Sequence, residues 1–184
     1  VFPPEQIAEL KGTNAIGHVR YSTAGGSFLK NAQPLAVDTA RGSVAVAHNG
    51  NLTNAEALRE KLEERGSIFQ SVSDTEVIVH LMAMSKARRL EERVADALRQ
   101  VEGAYSLLFL TEQAMIAVRD PTGIRPLCLG ILPGKPDAHV IASEPTSFDL
   151  IDAEYVRESI LNPATKVVSL PPETASRNPC ISTW

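Results

Sequence analysis

Apolar residues in the first quarter of the chain change from helical to strand-like spacing. A proline pair, followed by isoleucine and leucine three residues apart and then a glycine, predicts a short helix over residues 4–11. Near-continuous runs of small and β-branched residues predict buried strands over residues 15–21 and 43–47. The second run stops at His48, so we expect polar groups where this strand ends.

Three amphipathic segments follow, and two of them open with a helix-capping signal. Thr53 and Ser73 each have a glutamate three residues further on, which is the spacing of a capping box. The helix after Thr53 is expected to end at Gly66, because glycine is favoured just past a helix C-terminus. Apolar residues at helical spacing predict a third helix over residues 90–101.

The second half of the chain is dominated by strand-like segments separated by turn residues. We expect these segments to form an antiparallel meander, followed by a strand at 166–170 and a surface tail over roughly the last dozen residues. Strands, then helices, then more strands predict an α+β layered sandwich rather than a βαβ repeat. The meander segments are residues 104–110, 115–118, 127–131 and 139–142.

Composition excludes several classes of function. The 184 residues carry a net charge of −4 without a basic run, and no apolar run approaches the roughly 18 residues of a membrane span. Cys128 and Cys180 lack disulfide-framework or metal-ligand spacing, and His18 and His48 are expected to be hydrogen-bonded core residues without a catalytic role. We therefore expect a cytoplasmic protein with one main domain, no metal, and no nucleic-acid or membrane partner.

Arg20 precedes a turn rich in serine, threonine and glycine at residues 21–26. A planar guanidinium in this position can bind a substrate carboxylate through two parallel hydrogen bonds. The alternative is an ordinary ion pair between Arg20 and an acidic residue near the end of a strand. The residues alone leave both interpretations open.

Asn49, Gly50 and Asp74 also allow two interpretations each. Asn-Gly is the usual signal of a two-residue hairpin turn, but here a helix start follows within three residues instead of a return strand. The amide of Asn49 and the backbone N–H of Gly50 are otherwise the two donors of an oxyanion hole. Asp74 lies in the first turn of a capped helix, where it either stabilises the helix end or binds a substrate ammonium.

Together these groups describe a pocket for a free amino acid. Arg20 would bind a carboxylate, and Asp74 would bind an ammonium. The Asn49-Gly50 pair would stabilise a carbonyl oxygen that becomes negative when its carbon is attacked. Glutamine fits this description, because its side chain carries such a carbonyl. The hypothesis requires Arg20, Asn49 and Asp74 to converge in the fold.

Four segments of the chain resemble the N-terminal-nucleophile (class II) glutamine amidotransferases, and among them the glutamine phosphoribosylpyrophosphate amidotransferases. Their order and spacing match that family, and the Arg-Tyr-Ser-Thr-Ala-Gly form favours its purine-pathway branch over the glucosamine-6-phosphate synthase branch. The segments are Gly-His-Val-Arg-Tyr-Ser-Thr-Ala-Gly at 17–25, Ala-His-Asn-Gly-Asn-Leu at 47–52, Ser-Asp-Thr-Glu at 73–76 and Arg-Asp-Pro-Thr-Gly-Ile-Arg-Pro-Leu at 119–127.

The resemblance implies a four-layer αββα sandwich of the N-terminal-nucleophile hydrolase type. It also implies attack by a cysteine at the mature N-terminus, whose own α-amino group accepts the proton. Arg20 would bind the α-carboxylate of glutamine, with Thr23 among the substrate-binding residues, and Asp74 would bind the α-ammonium. Asn49 and Gly50 would be the catalytic residues of this chain, stabilising the tetrahedral oxyanion.

Two departures from the family pattern change the expected activity. The chain begins with Val1 rather than with the family's cysteine-bearing strand, and neither Cys128 nor Cys180 has a free α-amino group. We therefore expect this chain alone to be inactive and its sandwich to be incomplete at the N-terminus. The similarity fades at the end of an expected partial glutaminase domain, residues 1–158, and a divergent proline-containing tail follows at 159–184.

The parent enzyme implied by the resemblance hydrolyses glutamine and transfers ammonia to phosphoribosyl pyrophosphate, which gives phosphoribosylamine in the first step of de novo purine synthesis. Its partners would be glutamine and a phosphoribosyltransferase domain missing from this chain, within a homo-oligomer. No cofactor is expected in the glutaminase domain, and Mg²⁺ is expected in the phosphoribosyltransferase domain. The alternatives are a non-catalytic amino-acid-binding or regulatory module, and a sibling class II amidotransferase with another acceptor.

Overall fold

Two five-stranded sheets pack face to face, with helices on their outer sides. A computed structural model describes residues 3–9, 12–19, 29–158, 168–170 and 180–183. The helices are α1 Pro4–Glu9, α2 Ala55–Glu63, α3 Asp74–Met84, α4 Leu90–Leu98 and α5 Thr146–Asp149, and a 3₁₀ turn spans Leu29–Asn31. The strands are β1 Asn14–Ile16, β2 Leu35–Thr39, β3 Gly42–Leu52, β4 Gly103–Thr111, β5 Met115–Arg119, β6 Cys128–Leu132, β7 Lys135–Ala142, β8 Glu154–Glu158, β9 Val168–Leu170 and β10 Cys180–Thr183.

The two sheets differ in strand direction. Sheet I has the order β2-β3-β4-β5-β9, and all of its neighbouring strands are antiparallel. Sheet II has the order β1-β10-β7-β6-β8, in which β10 runs parallel to both β1 and β7. The long β3–β4 pair is central in sheet I, so its residues are held by partners on several sides.

Side-chain alternation along β3 separates two apolar cores. Val44 and Val46 belong to the largest cluster, which also contains buried residues of α2, α3 and α4. Ala47 faces the other way and packs in a second cluster with Ile141 of sheet II. A third cluster joins sheet II to Phe148 of α5. The layers therefore follow the order α2–α4, sheet I, sheet II, α5, which is the α+β sandwich expected from the sequence.

The capping box predicted at Thr53 is wrong. The residue before α2 is Asn54, and its side chain makes no capping hydrogen bond. The Asn54 amide instead donates to the carbonyl of Gln100 and accepts from the N–H of Glu102, at 2.9 Å in both cases. The residue next to the helix is thus held by tertiary contact with the segment before β4 and not by a local cap. The predicted stop at Gly66 is confirmed, because α2 ends at Glu63 and the Gly66 N–H donates to the Glu63 carbonyl at 2.8 Å.

The capping box predicted at Ser73 is half confirmed. Ser73 caps α3, since its side chain accepts a hydrogen bond from the N–H of Thr75 at 3.3 Å. The Glu76 carboxylate does not return to Ser73 but accepts from the N–H groups of Gln70 and Ser71, both at 2.7 Å, and from the Ser71 hydroxyl at 2.6 Å. Burial alone would raise the pKa of Glu76, but these hydrogen bonds outweigh it and hold the pKa below its ordinary value.

The predicted strand ends in the first half also need correction. The strand expected over 43–47 continues to Leu52, because every residue from Val44 onward still faces a partner on β4. The strand expected over 15–21 is shorter, since only Asn14–Ile16 is strand among the residues described there. The helix expected over 4–11 spans Pro4–Glu9 in the part of the chain that the structure describes.

The second half is not a single meander. β4 and β5 belong to sheet I, whereas β6, β7 and β8 belong to sheet II. Cys180–Thr183, expected in a surface tail, forms β10 between β1 and β7, while the domain boundary near residue 158 stays a prediction. Within the described ranges, no helix combines the length and apolarity that a bilayer-spanning segment needs.

Replacing Glu76 tests the loop contacts in front of α3. Since folding lowers the pKa of Glu76, the stabilisation it gives is present above its unfolded pKa and is lost as pH falls through the folded value. Glu76→Gln should lower the free energy of unfolding by about 1–3 kcal/mol at neutral pH, the range for a buried hydrogen-bonded charge. The difference from wild type should shrink near pH 4, measured by urea denaturation at both pH values.

Glu60→Gln is the matched control for this change, because Glu60 is exposed on α2. It should alter the free energy of unfolding by less than about 0.5 kcal/mol. Equal effects of the two substitutions would show that the carboxylate of Glu76 does not stabilise the loop.

Candidate active site

The C-terminal half of β3 has an edge that no strand covers in the described part of the chain. β2 pairs with β3 only as far as Val46. Beyond that point the N–H of His48 donates to the side-chain carbonyl of Gln33 at 2.7 Å, and the N–H of Leu52 donates to the Asp74 carboxylate at 3.0 Å. Side chains thus replace a neighbouring strand along this edge.

The alternation of β3 brings the N–H of Gly50 to the same edge. In an antiparallel pair, the N–H groups of alternate residues point to the same side. His48 and Leu52 point to the open edge, whereas the N–H of Thr53 donates towards β4, to the carbonyl of Glu102 at 2.8 Å. Gly50 lies midway between His48 and Leu52, so its N–H is directed at the open edge between the Gln33 and Asp74 side chains.

Gly50 can hold this position because it has no side chain. Its φ is +150°, and a Cβ built on it would lie 2.1 Å from the carbonyl oxygen of Ala104 and 2.7 Å from the Cα of Tyr105. Both are backbone atoms of β4, which cannot give way without breaking the pairing. Glycine is therefore required here by the close approach of two strands and not by a turn.

Asn49 lies beside Gly50 on the face of β3 that looks towards sheet II. Ala47, two residues earlier, packs in the cluster between the sheets, and side chains two residues apart on a strand share a face. Asn49 is half-buried and lies opposite Ser106 of β4. The hairpin-turn interpretation of Asn49 and Gly50 is wrong, because both residues are inside a continuous strand.

The carboxylate of Asp74 is oriented by two contacts at the start of α3. One oxygen lies 3.3 Å from Nδ1 of His48, and the other accepts the N–H of Leu52. Burial alone would raise the pKa of Asp74, but the hydrogen bond and charge of His48 and the N–H groups of Leu52 and Thr75 lower it below its ordinary value. The side chain is 22% exposed, so an ionised carboxylate with free lone pairs is open to a cation.

His48 is a buried member of the same network. It lies on the helix-facing side of β3, with Nδ1 3.2 Å from the hydroxyl oxygen of Thr75 and 3.3 Å from the Asp74 carboxylate. Its Nε2 is buried, and among the described residues it has no hydrogen-bond partner. The expectation of a buried, hydrogen-bonded histidine is confirmed, and its contact with Asp74 makes it a positioning residue for that carboxylate.

A loop after β5 supports the strand opposite the site. The N–H of Asp120 donates to the carbonyl of Tyr105 at 2.7 Å, and the fully buried Asp120 carboxylate accepts the N–H groups of Thr122, Ile124 and Arg125 at 3.0 to 3.2 Å. Burial alone would raise the pKa of Asp120, but the hydrogen bonds lower it. No structural role was predicted for Asp120, although Asp-Pro-x-Gly is a recognisable turn signal.

Asp74 contacts the strand that carries Asn49 and Gly50, while the roles predicted for these three residues stay predictions. Asp74 bonds to Leu52, three residues after Asn49, and contacts His48, the residue before Asn49. Arg20 and Thr23 lie outside the described residues, so their predicted contacts with substrate stay predictions. Among the described positions, no group of three or more histidine, cysteine, aspartate or glutamate residues is arranged to hold a metal ion.

The chain is similar to known proteins over most of its length. A family model described as a glutamine amidotransferase domain matches residues 18–149. Amidophosphoribosyltransferase 2, chloroplastic, of Arabidopsis thaliana is 54% identical over 158 residues, which cover 86% of this chain and 28% of that protein. Amidophosphoribosyltransferase of Bacillus subtilis is 47% identical over 159 residues, covering 86% of this chain and 33% of that protein. The chain thus spans about a third of the length of these curated relatives.

Two solved structures share the fold. One, described as the allosteric regulatory enzyme of purine biosynthesis, has a TM-score of 0.73 at 41% identity and covers 85% of this chain and 35% of that one. The other, glutamine phosphoribosylpyrophosphate amidotransferase from B. subtilis complexed with ADP and GMP, has a TM-score of 0.72 at 40% identity, covering 85% and 34%. The expected N-terminal-nucleophile hydrolase sandwich is therefore confirmed.

Gly50→Ala tests the close approach of β3 and β4. The added Cβ would overlap the backbone of Ala104 and Tyr105, so the free energy of unfolding should fall by at least about 2 kcal/mol in urea denaturation. Gly134→Ala is the control, because Gly134 also has a positive φ, of +71°, but nothing lies within 4 Å of its added Cβ. An equal loss in both variants would mean that backbone conformation, and not the strand contact, requires glycine at position 50.

Proposed function

Because the chain belongs to the glutamine amidotransferase domain family, we propose that its site binds glutamine and helps to hydrolyse the side-chain amide within a complete enzyme. The observation that carries this proposal is the open edge of β3. There the N–H of Gly50 is directed outward beside the ionised Asp74 carboxylate, and Asn49 precedes Gly50 on the same strand. A pair of donors beside an anion suits a substrate with a reactive carbonyl and an ammonium group.

The proposed chemistry uses the two donors in one step. The thiolate of an N-terminal cysteine attacks the amide carbon of glutamine, and the thiol proton passes to the free α-amino group of that cysteine. The carbonyl oxygen becomes an oxyanion, which accepts hydrogen bonds from the Asn49 amide and the Gly50 N–H. The protonated α-amino group of the cysteine then protonates the departing amide nitrogen, and ammonia leaves. Water finally hydrolyses the thioester to glutamate and restores the cysteine thiol.

Substrate recognition is assigned to charged side chains that would bind the α-ammonium and α-carboxylate of glutamine. Asp74 binds the α-ammonium of glutamine, since its carboxylate is ionised and partly open. Arg20 would bind the α-carboxylate through its planar guanidinium, and Thr23 would be a further substrate-binding residue. His48 holds the Asp74 carboxylate in place from the helix side of β3.

The ammonia acceptor is proposed from the names of the relatives, which are amidophosphoribosyltransferases. The complete enzyme would transfer ammonia to phosphoribosyl pyrophosphate and form phosphoribosylamine, the first step of de novo purine synthesis. A separate phosphoribosyltransferase domain carrying Mg²⁺ would catalyse that transfer, in a cytoplasmic homo-oligomer. The chain covers about a third of these relatives, which leaves length for such a domain.

Asn49→Ala in the complete enzyme should lower the glutaminase kcat about 10²–10³-fold, the usual loss for one oxyanion donor. Synthesis from free ammonia should continue, because it does not use the oxyanion hole. Asn51→Ala is the control, since Asn51 lies exposed two residues along the same strand. Unchanged glutamine turnover in Asn49→Ala would remove the proposed role of Asn49.

Glutamine binding measured by calorimetry without ammonia release in the unmutated enzyme would instead favour a non-catalytic amino-acid-binding module.

Arg20→Ala should chiefly raise the KM for glutamine, because the carboxylate contact exists in the ground state as well as in the transition state. Arg20→Lys keeps the charge but not the planar guanidinium, so its KM should fall between those of wild type and Arg20→Ala. The measurement is steady-state ammonia release against glutamine concentration. If KM is the same in all three proteins, Arg20 does not bind the substrate carboxylate.

A further inference from the structure

A cavity lies between β2 and α3. Its volume is about 840 Å³, and none of Asn49, Gly50 or Asp74 lines it. This volume is within the range of about 300–1,000 Å³ that is typical of small-molecule sites. Two arginines, Arg41 of the β2–β3 turn and Arg93 of α4, line it. Its occupant therefore has to be compatible with positive charge.

Arg93 is a largely buried cation. The residue is only 7% exposed, and the hydrogen bond it makes within the described part of the chain is a long contact of 3.4 Å from Nε to the carbonyl of Met82. Among the described residues, no carboxylate forms an ion pair with it. Burial and the neighbouring positive charge of Arg41 both lower the pKa of Arg93. Four of its five N–H donors have no protein acceptor in the described part of the chain.

Arg41 approaches the same place from the other side of the cavity. Its Nη1 donates to the carbonyls of Ser85 and Ala87, at 3.3 and 2.9 Å. Arg93 donates to Met82, so both guanidinium groups reach the C-terminal turn of α3. The negative end of the helix dipole offsets only part of this positive charge.

The two acidic residues that line the cavity accept hydrogen bonds from other groups. Asp38 accepts the hydroxyl of Ser43 at 2.6 Å, and Glu76 accepts three hydrogen bonds from the loop before α3. Neither carboxylate is an ion-pair partner of Arg41 or Arg93 in the described structure. The two guanidinium groups are therefore left with donors and net positive charge at one end of the cavity.

Apolar side chains lie beside the arginine pair. Val79 and Ala83, which are one helical turn apart on α3, line the same cavity. We propose that Arg41 and Arg93 form a site for a small organic oxyanion, a phosphate or carboxylate whose apolar body packs against Val79 and Ala83. Asn49, Gly50 and Asp74 do not line this site, and the proposal does not depend on the proposed function.

The test uses calorimetric titration of the purified protein with inorganic phosphate, phenyl phosphate and benzoate at constant ionic strength. At least one of the aromatic anions should bind more tightly than inorganic phosphate, because its ring buries apolar surface. The comparison of phenyl phosphate with benzoate identifies which oxyanion the site prefers. Arg93→Met should raise the Kd of the preferred anion about tenfold or more, the loss expected for a charged hydrogen bond.

Arg99→Met is the matched control, because Arg99 follows α4 with a side chain that is 72% exposed, and it removes the same charge. Its Kd should stay within about twofold of the wild-type value. Without anion, Arg93→Met should melt at or above the wild-type temperature, since an unpaired buried charge has been removed. Should Arg93→Met fail to fold, Arg41→Gln replaces it, with the same expected loss of affinity. The proposal is overturned if no probe binds, or if binding is equally strong in wild type and the folded arginine variant.

Discussion

Hydrogen-bond alternation along β3 is the constraint on which the candidate active site depends. β2 leaves β3 at Val46, and beyond that point the N–H groups on the open edge have no strand to bond. Gln33 takes the first of them and Asp74 takes the third, so the second, on Gly50, is directed outward between them. A donor at a fixed position inside a sheet is more rigid than one on a loop, which suits the stabilisation of a developing charge.

The same constraint links the sheet to the helices. Asp74 stands in the first turn of α3, yet its carboxylate oxygens are held by His48 and by the N–H of Leu52, both of β3. Displacing α3 would therefore disturb the open edge as well as the helical core. The Asp120 loop holds the opposite strand in a comparable way, through a buried carboxylate that accepts successive backbone N–H groups. Hydrogen-bonded carboxylates thus orient both sides of the site.

Much of the architecture was predictable from local spacing. Helices α2, α3 and α4 and strands β4 to β7 follow periodic apolar patterns, and their predicted positions agree with the structure to within a few residues. β2 and β8 were missed because each is short and carries charged residues, which weakens the strand signal. The capping box at Thr53 failed for a different reason. Tertiary contact with the segment before β4 holds the side chain of Asn54, which stands next to the helix.

The sequence by itself determined which residue types the site contains, because Asn49, Gly50 and Asp74 stand in motifs whose order and spacing identify the family. Only the tertiary structure decided how they act. Gly50 is required by the backbone of β4, more than fifty residues away in the chain, and not by the turn that Asn-Gly usually signals. The burial of Arg93 without a carboxylate partner among the described residues is likewise not evident from the sequence. The burial and the hydrogen-bond partners of a residue depend on which distant segments of the chain come into contact. The local spacing of residues does not specify those contacts.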